Sequence, residues 1–180
     1  LPAVLCPPFL ITGIFINQIY LFENSDWNLN YLAASFIAYA VFTVFSLQVS
    51  GYLIDRFSAV KILPFYLIPM IIGFILSLIF KFTFSPILFF VFIAITNGTA
   101  NVLMTSTWSE LYGTKHLGAI RSITISLMVF STAMSPVLFG FLIDFGLSSS
   151  KIFLYMLFYA LFSNLLLIAK FRSYKPVIIS

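Results

Sequence analysis

The chain has 180 residues, 62% of them hydrophobic, 19% aromatic and only 8% charged, with a formal net charge of +4 and a mean hydropathy of +1.12. Soluble domains run near ~45–50% apolar and ~25% charged, and a soluble chain this short has too little interior to hide so much apolar surface. A soluble enzyme domain, a coiled coil and a disordered chain are thereby excluded, and the apolar surface must face lipid.

A helix needs about 20 apolar residues to cross the hydrocarbon layer, whereas strands and open loops would leave backbone groups unsatisfied there. The apolar runs are continuous and longer than the alternating ~10-residue segments of a membrane barrel. Six transmembrane helices are predicted, over 3–22, 30–53, 62–80, 86–107, 119–143 and 151–169, followed by a basic tail over 170–180.

The first run begins at Leu1 with no charged stretch before it, so it does not resemble a signal peptide and reads as part of a longer chain. Its Cys6 has no Cys/His cluster around it and reads as core filling. Gly13, Asn17, Gln18 and Tyr20 are its other notable residues, and Glu23-Asn24-Ser25-Asp26 forms a polar turn in which Asp26 or Asn28 can cap the next helix. The second helix carries a polar stripe, Ser35, Tyr39, Ser46 and Ser50, with Gln48 off it, and closes in Asp55-Arg56-Phe57-Ser58. The third is nearly all Leu, Ile, Phe and Met, apart from Ser77. A turn from Lys81 to Ser85-Pro86 then places proline at a helix start.

The fourth helix holds Asn97 and Asn101, four residues apart and so on one face. The longest break, from Ser109 to Gly118, contains Glu110, Gly113, Lys115 and His116, the last read as a surface residue. The fifth helix shows a stripe of mostly small residues (Ser122, Ser126, Val129, Ala133, Pro136, Gly140) of the kind that lets helices approach closely in lipid. After Asp144 a loop with Gly146 and three serines leads to a sixth helix whose main polar exceptions are Ser163 and Asn164. The third and sixth helices are expected to face lipid while the others surround something polar, and most of the 23 Phe are expected to be lipid-facing bulk.

Even-numbered loops and the tail carry Arg56, Lys61, Lys115, Arg121, Lys170, Arg172 and Lys175, and odd-numbered loops only Lys81 and Lys151. The positive-inside rule therefore puts both ends of the segment in the cytoplasm. The scattered basic residues form no patch, so no nucleic-acid partner is expected. Gly51-Tyr52-Leu53-Ile54-Asp55 closes the second helix and Gly140-Phe141-Leu142-Ile143-Asp144 the fifth. The pentads differ at one aromatic position and fall on opposite sides of the membrane. That is the pattern of an inverted three-plus-three repeat, common in transporters.

The stretch Gly51-Tyr52-Leu53-Ile54-Asp55-Arg56 and onward to Lys61 resembles the loop signature G-x-L-x-D-R-x-G-R-R/K of the major facilitator superfamily. It departs from it at Ser58, Ala59 and Val60, where glycine and basic residues are usual. The segment from Glu110 through Gly113, Gly118 and Arg121 to Pro136 and Asp144 is similar to the tenth-to-eleventh-helix region of the same family. The resemblance implies the C-terminal six-helix half of a twelve-helix secondary transporter. That is an all-α membrane fold of two inverted three-helix repeats whose partners are the lipid bilayer, an N-terminal six-helix half and a small-molecule solute, a small organic acid being one candidate. It further implies a bacterial inner-membrane location and a conformational latch of Gly51, Asp55, Arg56, Glu110, Arg121, Gly140 and Asp144.

In that latch Gly51 is expected to remove a side chain where two helices cross. Asp55 can accept from amides at a helix N-terminus, where the dipole favours negative charge. Arg56 can pair with a carboxylate, Glu110 being the available one, with Arg121 competing for it. Asn17, Gln18, Tyr39, Asn97, Asn101 and Ser126 are the candidates for lining a solute cavity, since an amide in lipid is costly unless paired. Interhelical hydrogen bonding, at about 0.6 kcal/mol per contact, is the competing role for each.

No ionisable residue falls in the middle of a span, where such groups usually mark proton or ion pathways. One cysteine, one loop histidine and no paired intramembrane acids offer nothing for nucleophilic or metal chemistry, so neither an enzyme nor a cofactor or metal is expected. The alternative reading is a self-contained or truncated six-helix membrane protein without independent transport activity.

Overall fold

The computed structural model describes residues 1–23, 27, 31–80 and 84–172, and among these the chain is helical with short connections and no strand. The expected caps Asp26 and Asn28, the turn residue Lys81 and the tail beyond Arg172, with Lys175, lie outside the described residues. Helices α1 (Pro2–Ile16) and α2 (Gln18–Glu23) form a first rod and α3 (Leu32–Phe57) a second. A third is assembled from α4 (Ala59–Ile62), a 3-10 turn (Leu63–Phe65) and α5 (Ile68–Ile79). Helices α6 (Ser85–Tyr112), α7 (Leu117–Asp144) and α8 (Ser149–Arg172) complete the set. The second to sixth rods are each long and apolar enough to cross a membrane, and α1 is an apolar helix of 15 residues. The chain is an integral membrane protein.

The ends and breaks follow from local chemistry. Proline near the start of α1, α5 and α6 costs no helical hydrogen bond, because the first amides of a helix have no partner anyway. Inside α1, Pro7 has no N–H to give the carbonyl of Ala3, and the buried hydroxyl of Tyr66 donates to that carbonyl instead. Asn17 divides α1 from α2: its backbone N–H and its side-chain Nδ2 both donate to the carbonyl of Gly13, at 3.2 and 3.0 Å. Pro64 falls in the 3-10 turn that interrupts the third rod. Helix α6 runs to Tyr112, a turn past the expected boundary, and stops at Gly113, whose φ of +70° is costly for a side chain-bearing residue.

Packing pairs α3 with α6 along their length, α5 with α6 and α8, and α1 with α7 and α8. An aromatic cluster lies where α5, α6 and α8 meet. There the rings of Phe74 and Phe89 are 5.6 Å apart, those of Phe89 and Phe153 5.4 Å, and Trp27 adds a ring 5.4 Å from Phe89. Helix association in lipid is driven by van der Waals fit rather than by apolar burial, so this interlocking of rings, with offset pairs worth ~0.5–1.5 kcal/mol, anchors the bundle. Cys6 is fully buried, as expected of core filling.

The expectation that the third and sixth helices are the exposed ones is corrected here. Among the long spans the third and sixth bury 44% and 33% of their most apolar windows, against 11% each for α3 and α7. The third and sixth rods present one face to the core and one outward, whereas α3 and α7 sit at the flanks of the bundle and touch it along one narrow strip. The Phe excess is accordingly divided: Phe22, Phe74, Phe89, Phe90 and Phe153 are fully buried, while Phe45, Phe130 and Phe158 are exposed.

Candidate solute groove and loop latch

Two helix crossings set the frame of the site. Where α6 crosses α3, Gly98 leaves room for α3 itself: a Cβ there would lie 2.0 Å from Ser46 Oγ and 2.4 Å from the carbonyl oxygen of Thr43. The Ser46 hydroxyl is shared between the carbonyl of Thr43 on its own helix, at 3.1 Å, and that of Ala94 on α6, at 3.3 Å. Where α1 crosses α7, a Cβ on Gly13 would lie 2.2 Å from the Phe139 ring and 2.7 Å from Ser135 Oγ, and the Ser135 hydroxyl donates to the carbonyl of Phe9 at 2.5 Å. The remaining serine of the α3 stripe near this level, Ser50, donates to Thr99 Oγ1 on α6 at 2.8 Å. Small residues and hydroxyls at a crossing are what helix association in lipid rewards.

The crossings spread α1, α6 and α7 around a groove of about 230 Å³. Asn97, Asn101, Met104 and Trp108 form its α6 wall, at spacings of three and four that place them on one face. Pro7 and Pro8 contribute from α1, and Arg121, Thr124 and Met128 from α7. Asn97 Nδ2 donates to the Tyr39 hydroxyl at 2.8 Å, tying the groove wall to α3, and Asn101 Nδ2 donates to the Asn97 carbonyl at 2.9 Å. Asn97, Asn101 and Tyr39 are thus brought together, with Tyr39 just behind the wall.

Other expected cavity residues stand elsewhere. Asn17 serves the break between α1 and α2. Gln18 is half-buried, its Oε1 without a hydrogen-bond partner among the described residues. Ser126 is exposed on α7, its hydroxyl returned to the Ser122 carbonyl at 2.8 Å. The small-residue stripe of α7 points outward with it: Val129 and Ala133 are exposed, and the buried residues of that helix are Thr124, Ser135 and Phe139.

At the end of the bundle that carries Asp55, a carboxylate does hold a helix N-terminus, and it is that of Glu110. Its side chain accepts from the backbone N–H groups of Ala59 and Val60, at 2.7 and 3.2 Å, and from the Ser58 hydroxyl at 2.5 Å. Three donors converge on one anion at the positive end of α4. Ser58 itself has φ +80°, a left-handed backbone held in place by that hydroxyl contact. Glu110 forms no ion pair with Arg56 or Arg121 among the described residues. The Arg56 guanidinium instead lies 5.4 Å from the centre of the Phe57 ring. Asp55, Arg56, Lys61 and Glu110 border an open trough of about 750 Å³ between α3, α4 and α6.

Asp55 and Asp144 are exposed. Gly51 and Gly140 are not close-approach glycines within this chain, since a Cβ at either would meet nothing within 4 Å. Sequence reasoning assigned close approach to Gly51 and missed Gly98, although the clue was present: Ser46 stands five residues before Gly51 as Ser135 stands five before Gly140. It also placed Arg121 in the latch alone, whereas the helical spacing of Arg121, Thr124 and Met128 carries it onto the groove wall. Compared with family models, curated proteins and solved structures, the chain finds no match.

Proposed function

We propose that this chain is the C-terminal six-helix half of a secondary transporter of the major facilitator type, moving a small organic solute by alternating access. The observation that carries the reading is the pair of crossings. If the pentads at Gly51 and Gly140 are equivalent, then Ser46 is equivalent to Ser135. Each of these serines donates to a carbonyl four residues before a glycine, Ala94 before Gly98 in one crossing and Phe9 before Gly13 in the other. The first crossing joins the second rod to the fourth and the second joins the fifth to the first. An inverted repeat of two helix triplets exchanges these pairs. Ser58 supports the resemblance too: the position where the loop signature usually has glycine is the one described non-glycine residue with positive φ.

In this reading the exposed outer strips of α3 and α7, with the small-residue stripe of α7, meet the N-terminal half, and the groove beside Asn97 and Asn101 is the chain's share of the solute path. Asp55, Arg56, Gly51, Gly140 and Asp144 lie at the ends of those two helices, where the halves make and break contact. The Lys and Arg distribution favours both ends of the segment in the cytoplasm, and the resemblance implies a bacterial inner membrane. No enzymatic step is assigned.

Uptake of a solute panel into membrane vesicles from cells expressing the whole gene that contains this chain, with and without a proton gradient, tests the proposal. Saturable uptake that Asn97→Leu and Asn101→Leu each reduce at normal expression supports it. Uptake unchanged by both substitutions, or absent across the panel, overturns it.

A further inference from the structure

Resting on the reading of the groove as the solute path, we infer that it takes a small monocarboxylate, with Arg121 as the group that receives the carboxylate. Arg121 is the one charged residue in the groove lining. The nearest acid on the facing helix, Glu110, is committed to Ser58, Ala59 and Val60, so Arg121 has no ion-pair partner among the described residues. It stands in the second turn of α7, whose first turn holds no acidic residue, so the helix dipole adds to its charge rather than cancelling it. An arginine in such a place offers a planar fork matched to a carboxylate.

The rest of the lining narrows the class. Trp108 and Met104 on α6 and Met128 on α7 make an apolar bed for a compact body. Asn101 and Asn97 lie about two and three turns along α6 from Trp108 and continue the polar wall beyond that bed. The one cation of this wall meets one carboxylate group. A groove of about 230 Å³ suits a small solute.

The test is titration calorimetry on the product of the whole gene in phosphatidylcholine nanodiscs, with benzoate and lactate as probes and benzamide and lactamide as their neutral counterparts. The inference expects at least one carboxylate to bind and its amide not to bind. It expects Arg121→Gln to weaken that binding at least about tenfold, the effect of losing one charge-assisted contact. Arg121→Lys, which keeps the charge but loses the fork, should recover part of the loss and shows that the site is intact. Binding equal in wild type and Arg121→Gln, amide binding as tight as the carboxylate, or no binding of either carboxylate overturns the inference. Flux into proteoliposomes separates it from the carrier proposal. Carriage of neutral solutes alone sinks the carboxylate assignment and leaves the carrier standing. Arg121-dependent carboxylate binding without flux of any panel member upholds the assignment and sinks the carrier.

Discussion

The two crossings use the same parts and differ in what the glycine faces. At Gly98 the near atoms include the backbone of α3, the Thr43 carbonyl at 2.4 Å and the Leu47 nitrogen at 3.0 Å. At Gly13 they are side chains, the Phe139 ring and the Ser135 hydroxyl. One crossing is backbone against backbone, and neither helix can yield without moving as a whole. The other is mediated by side chains of α7, against a helix that carries Pro7 and Pro8 and ends at Asn17. One chemical device thus yields a fixed joint between α3 and α6 and a more compliant one between α1 and α7. Relative motion inside this bundle would pass through the compliant joint.

That contrast predicts a graded series. Gly98→Ala should be the most damaging change, because overpacking against rigid neighbours costs about 1–3 kcal/mol or more, and here the neighbour is backbone. The midpoint of thermal unfolding in detergent should fall further for Gly98→Ala than for any other variant in the series. Gly13→Ala should cost less, and in a double-mutant cycle Gly13→Ala and Phe139→Ala should together cost less than the sum of the two single variants, because the added methyl no longer meets the ring. Strict additivity of the two would show that the ring is not what the added methyl meets.

The loop ends sharpen the comparison at a lower energy. Next in size is Glu110→Ala, which leaves the N–H groups of Ala59 and Val60 and the Ser58 hydroxyl without their acceptor. Loss of a helix cap costs about 0.5–2 kcal/mol, and hydrogen exchange at Ala59 and Val60 should accelerate with it. Ser58→Gly removes one of the three donors but relieves a left-handed backbone, so its net effect on unfolding should be within about 0.5 kcal/mol of zero, the two contributions opposing one another. Ser46→Ala and Ser135→Ala should each cost about 0.6 kcal/mol, the average for a hydrogen bond between membrane helices. Similar losses from the two, beside unequal losses from the two glycines, would place the difference between the joints in steric contact rather than in the serine bonds.

Much of the fold was legible along the chain because lipid imposes a length on every span. Five of the six expected runs are helices long enough to span and the first is a shorter apolar helix; these, the turn at Asp55–Ser58 and the shared face of Asn97 and Asn101 follow from local pattern. What was not legible depends on which helix lies beside which. Glu110 and Ser58 are 52 residues apart in sequence, and nothing local says that one carboxylate will collect three donors from the other's loop. Gly98 sits beside Asn97 and drew no notice, because a close-approach glycine is defined by its partner helix. The burial of the third and sixth rods was misjudged for a related reason: an apolar face packs equally well against lipid or against Phe89 and Phe153, and composition does not tell them apart. The candidate site was half visible, in its asparagines, while its cation was assigned to a different role.

The alternating-access claim is tested most directly by placing a single thiol in the groove. Cys6 is the one cysteine of this chain and is fully buried, so Asn101→Cys, in a whole gene product whose cysteines outside this chain are replaced by serine, supplies the reactive group. Impermeant thiol reagents would be applied from each side of oriented membrane vesicles, before and after a transported solute is supplied on one side. The account predicts that position 101 is reached from both sides and that solute raises reactivity from one side while lowering it from the other. Labelling from one side only, unchanged by solute, would contradict it.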